Sequence, residues 1–127
     1  MKRVLLILIL LLTLSVTPLP VQAENVGSWL TCTVDNASTT SDPLDLGDNF
    51  EFINLCVPTI TTGTITIYVC DDIGGTFRQL GSSGVGISST SGLFYTTIQT
   101  THYRFIKIVC GATQVSGAVT FKVRGYN

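Results

Sequence analysis

Beyond residue 23 the chain alternates apolar and polar positions in short bursts. Ile65, Ile67 and Val69 interleave with Thr66, Tyr68 and Cys70, the period of two that gives a strand two distinct faces. Residues 24–36 carry Val26, Trp29, Leu30, Cys32 and Val34 and predict a first strand, with Trp29 as a core anchor. The run at 50–57 predicts a second, closed by Pro58, which has no N–H to continue a ladder. Further strands are expected at 93–98, 103–110 and 118–123. In 103–110, Phe105, Lys107 and Val109 face one way and Ile106 and Ile108 the other. The Ser/Gly run at 81–92 reads as a short edge strand or a flexible loop. No segment of useful length has the helical period. Short strands separated by Gly/Ser/Thr turns predict an all-β fold, an antiparallel sandwich or jelly roll of about seven or eight strands.

The stretch 65–80 predicts a hairpin. Asp72 is placed to accept backbone hydrogen bonds in the turn, Gly74 and Gly75 permit positive φ, and Thr76 and Phe77 restart an extended run. Asp72-x-Gly74-x-Thr76-Phe77, preceded by Cys70, resembles the Asp-box hairpin, with Cys in place of its Ser and Phe in place of its Trp. That resemblance implies a turn-building role for these residues and no chemistry. The pattern occurs once, so repeated propeller blades are excluded.

The first 23 residues read as an export leader. Lys2 and Arg3 precede an apolar run from Val4 to Leu14, and Val21-Gln22-Ala23 forms a small-residue cleavage site before Glu24. The apolar core of about 13 residues falls short of the roughly 20 that span a bilayer. The expectation is a signal peptide over 1–23, one domain over 24–127, and no stable membrane anchor after cleavage. Loss of Lys2 and Arg3 leaves five basic and eight acidic residues, a net charge of −3. That balance excludes a nucleic-acid binder that works through a basic stripe.

Four cysteines, Cys32, Cys56, Cys70 and Cys110, in a small exported domain predict two disulfides. If 52–57 and 64–69 pair about a loop at 58–63, Cys56 falls opposite Ile65. Five strand residues, roughly 16 Å, then separate it from Cys70, beyond the Cα separation of about 7 Å that a disulfide bridges. This disfavours Cys56–Cys70 and with it Cys32–Cys110, and the preferred pairing is Cys32–Cys56 with Cys70–Cys110.

Candidate chemistry is sparse. His102 is the single histidine, so a histidine-based metal cluster is excluded, and it reads as structural or surface-lying. No acid pair suggests glycoside hydrolysis, and no glycine pattern opens a helix to cradle phosphate. The expectation is a protein that is not an enzyme and has no cofactor. Asp42, Asp45 and Asp48 are the best cation candidates, with oxygen ligands that suit Ca²⁺, but their spacing is not that of an EF-hand and turn formation is preferred. Asp71 is the carboxylate left to face solvent or a ligand, and Asn36-Ala37-Ser38 is a glycosylation sequon.

A wider pattern runs from Phe52 to Arg124. A strand reaches Pro58, then Ile-x-Ile-x-Val-x-x-Asp leads into Gly-Thr-Phe, Tyr-Arg-Phe-Ile-Lys-Ile at 103–108 exits through Cys-Gly, and Val-x-Phe-x-Val closes. This resembles the small β-sandwich proteins of tailed-phage genomes that decorate virions. It is also similar, less closely, to discoidin-type carbohydrate-binding modules. The first resemblance implies a structural or binding module, virion- or cell-surface-associated, that docks on a protein lattice, while the expectation of export rests on the leader at 1–23. The second implies a secreted module that holds a surface glycan, a task that needs two or more exposed aromatics beside an Asp, Asn or Arg.

Overall fold

The structure, a computed structural model, describes residues 25–61, 63–82, 87–88 and 92–127. The expected leader at 1–23 and most of the Ser/Gly run lie outside them. Nine strands follow in order: β1 (Leu30–Val34), β2 (Leu44–Asp45), β3 (Phe52–Val57), β4 (Thr64–Cys70), β5 (Arg78–Gln79), β6 (Ile87–Ser88), β7 (Phe94–Gln99), β8 (Phe105–Cys110) and β9 (Val119–Tyr126). Every pairing is antiparallel. One sheet runs β1-β9-β3-β7, and the other runs β2-β8-β4-β5 with β6 also on β4. The fold is therefore an antiparallel β-sandwich, with six strands of five residues or more and three two-residue edge segments.

The period-two pattern sorts side chains as anticipated. Ile53, Leu55 and Val57 of β3 and Ile65, Ile67 and Val69 of β4 are all buried, while the residues between them face outward. Apolar burial of this kind contributes roughly 1.5–3 kcal/mol per large side chain. It also fixes register, because a slip by one residue would turn the whole set to solvent.

The partnering of β3 and β4 differs from the sequence expectation. They do not form a hairpin: β3 lies between β9 and β7, and β4 belongs to the other sheet. The connecting loop crosses the core edge instead, with Ile60 buried. Gln114, 1 % exposed, holds it there by accepting from the Thr61 N–H at 3.0 Å and donating to the Ala112 carbonyl at 2.8 Å. A loop that plants an apolar side chain between the layers carries the chain across them.

That crossing overturns the preferred cysteine pairing. β4 and β8 run antiparallel, with Cys70 opposite Phe105 and Cys110 opposite Ile65, so Cys70 and Cys110 lie about 16 Å apart along the ladder. Cys32 and Cys56 flank β9 on opposite faces, Cys32 buried against the core and Cys56 on the outside. All four thiols are free in the structure.

Candidate functional site

The outer face of the β1-β9-β3-β7 sheet gathers most of the exposed aromatic surface. The register places Asn54 between Arg124 and Thr97, and Cys56 between Lys122 and Tyr95. Trp29 precedes β1 and is 43 % exposed, so it is not the core anchor that its apolar neighbours suggested. Its ring meets the ring of Tyr95, from the opposite edge of the sheet, at a centroid distance of 5.9 Å and an angle of 57°. Tyr95 is 70 % exposed. The Arg124 guanidinium lies 4.7 Å from the Trp29 ring centre, within cation–π range. Its Nε is buried and has no hydrogen-bond partner among the described residues. Trp29, Thr31, Tyr95 and Lys122 line a groove of about 330 Å³ alongside this pair.

The arrangement offers two tilted aromatic faces, a cation held beneath one of them and a lysine at the margin. Polar groups continue along the face, where Thr97 Oγ1 donates to Asn54 Oδ1 at 2.9 Å and Phe52 stacks on Tyr126 at 5.4 Å. Such a surface suits a ligand with flat apolar patches ringed by hydroxyls. Rings cover the C–H patches while Asn, Arg and Lys hydrogen-bond at the rim.

A wider cleft of about 820 Å³ opens at the other margin, between β7 and the β4–β5 hairpin, lined by Cys70, Asp71, Arg78, Gln79, Gln99 and Tyr103. Asp71, the solvent-facing carboxylate, lies here. The cleft lacks a pair of exposed rings, since Tyr103 packs partly against the core.

The other sequence-selected residues fall in turns. Asp72 Oδ1 accepts from the Gly74 N–H at 3.1 Å and its carbonyl accepts from Gly75 at 2.9 Å. Gly75 is tightly placed, because a Cβ there would stand 2.6 Å from Cys70 Sγ. Thr76 is exposed, and Phe77 lies beneath the Lys107 ammonium at 4.6 Å. Asp42, Asp45 and Asp48 do not converge, and no cluster of three potential metal ligands occurs among the described residues. Asp45 is held by Arg104 through two hydrogen bonds of 2.7 and 2.8 Å, while Asp48 bonds Asn25 and the Asn49 N–H. His102 has a left-handed φ of 67° and closes the β7–β8 turn, its N–H donating to the Phe50 carbonyl at 3.1 Å.

With this geometry in place, comparison with solved structures finds the same fold in proteins of different sequence. The SPBc2 prophage-derived protein YomS superposes with a TM-score of 0.56 at 16 % identity, over 86 % of this chain and 99 % of that one. CBM32-1 from a family 31 glycoside hydrolase of Clostridium perfringens superposes with a TM-score of 0.51 at 18 % identity, over 84 % of this chain and 78 % of that one. No protein-family model matches the chain, and no curated protein matches it in sequence. At these identities the likeness is one of fold.

The aromatic pair was hidden in the sequence because its members are 66 residues apart and each reads alone as a core residue. The available signal was position. Trp29 falls on the outward parity of β1, and Tyr95 shares the outward parity of Thr97 and Gln99.

Proposed function

We propose that this chain is a non-enzymatic, exported binding module that attaches to a surface glycan through the Trp29–Tyr95 face. The carrying observation is the pair of exposed rings at 5.9 Å with Arg124 behind them and Lys122 beside them. The sandwich fold shared with a carbohydrate-binding module and with a prophage-derived protein supports a binding or structural role. Export follows from the leader-like 1–23, and the mature chain begins at Glu24. Intact mass of protein expressed with its own leader shows residues 1–23 removed; a mass that includes Met1 refutes that boundary.

Trp29 is the single tryptophan, so its fluorescence reports the site directly. Titration with a panel of neutral and acidic bacterial polysaccharides quenches or shifts that emission for at least one member. Trp29→Phe and Tyr95→Ala each weaken binding at least tenfold, measured by calorimetry, and leave the melting temperature within a few degrees. If no glycan binds, yet purified virions or cell envelopes retain the protein in a Trp29-dependent way after glycan removal, the face docks on a protein lattice instead.

A further inference from the structure

We propose that Cys32 and Cys110 form a disulfide through the core, joining the two sheets, while Cys56 and Cys70 remain free thiols. Strand parity selects this pair. Cys32 on β1 and Cys110 on β8 are both buried, 4 % and 2 % exposed, and both belong to the shared core between the layers. Cys56 and Cys70 lie on the outward parity of β3 and β4, in different sheets. The other pairings each require a side chain to pass through its own sheet or to span the length of a strand.

Local contacts bring β1 to the correct part of β8. The Cys32 thiol lies beside Ser41 and the backbone of Ile108. Ser41 is itself tied to Ile108, donating its N–H to the Ile108 carbonyl at 3.0 Å and accepting the Ile108 N–H on Oγ at 3.0 Å. Cys110 follows two residues later on the same inward face and donates its N–H to Thr39 at 2.8 Å. Burial pushes the Cys110 thiol up to about 11, and the neighbouring Cys32 adds to the shift. Among the described residues β1 is an edge strand paired with β9 alone, so it can adjust to close the bond.

The bond forms by thiol–disulfide exchange. Cys32 and Cys110 together lose two protons and two electrons as their S–S bond forms. A small-molecule disulfide such as oxidised glutathione accepts both, and its own S–S bond breaks to give two thiols. An extracytoplasmic compartment supplies oxidants of this class.

The test uses full-length mature protein equilibrated with oxidised glutathione, unfolded in alkylating agent and digested without reductant by an Asp-specific endoprotease. Cleavage before Asp35, Asp48, Asp71 and Asp72 isolates Cys32 in a peptide ending at Val34, Cys56 with Cys70 in 48–70, and Cys110 in the C-terminal peptide. The expected result is a cross-link between the Cys32 and Cys110 peptides, with peptide 48–70 doubly alkylated. A linked peptide of any other composition, an unalkylated 48–70, or four alkylated thiols overturns the proposal. As an independent readout, reductant lowers the melting temperature of wild type and of the Cys56→Ser/Cys70→Ser variant by about 10 °C or more. It leaves the Cys32→Ala/Cys110→Ala variant unmoved; an equal drop in that variant refutes the assignment.

Discussion

Phe50 fills the space that a side chain at position 125 would need. A Cβ on Gly125 would stand 2.0 Å from the Phe50 ring, and one on Gly27 would stand 3.0 Å from it, so the two glycines admit a buried aromatic at the end of the sandwich. Gly125→Ala forces that ring out of place and destabilises by about 1–3 kcal/mol, read from urea unfolding; an unchanged midpoint would show that the ring repacks freely. Asp72 is a weaker point. Its carboxylate accepts one exposed backbone donor rather than a cage of them, so Asp72→Ala costs about 1 kcal/mol or less. Thermal melts of the pair decide this, and a loss well above that figure would reveal further acceptor work. Trp29 shows the limit of reading residues singly. Its hydrophobicity favours burial, but its parity before β1 turns it outward, and only the folded register reveals Tyr95 as its partner.

At the scale of elements, β2 is short and depends on a side chain for its seat. Two residues pair with β8, and the Asp45–Arg104 ion pair fastens them at 2.7 Å. The two Arg104 hydrogen bonds, with a third from the Gly47 N–H, hold the Asp45 carboxyl below its ordinary value. A carboxyl whose pKa is lower folded than unfolded adds stability that is fully present above the ordinary carboxylate range. That stability is lost as pH falls through the lowered folded value. The gap in melting temperature between wild type and Asp45→Asn is therefore largest near neutrality and closes in acid. It also shrinks in high salt, because the pair is exposed. A gap that grows in acid would contradict the assignment. Most strands were legible because alternation is a local property. The partnering of β3 with β9 and β7 was not, because a six-residue loop between two strands reads equally as a hairpin or as a crossing. The buried Ile60 and the distant Gln114 settle it as a crossing. The cysteine pairing inherited that ambiguity, and β2 hides inside a segment whose Asp, Gly and Asn residues read as turn.

For the whole molecule, the strand order has a temporal meaning. Among the described residues, β4 and β5 are the only successive strands that pair with each other, and every other ladder joins parts of the chain that are distant in sequence. β9 sits between β1 and β3, so a growing chain has nothing to place in the middle of that sheet until its last strand emerges. Loop closure over such separations is costly before any contact rewards it. Refolding from urea is thus expected on the millisecond-to-second scale of β-sandwiches, followed by Trp29 emission as Tyr95 arrives beside it. A microsecond phase carrying the full amplitude would contradict this. A chain lacking 119–127 should show no cooperative melt. The central position of that sheet therefore stays empty until synthesis has reached β9, so its two flanking strands wait on the residues made after both of them.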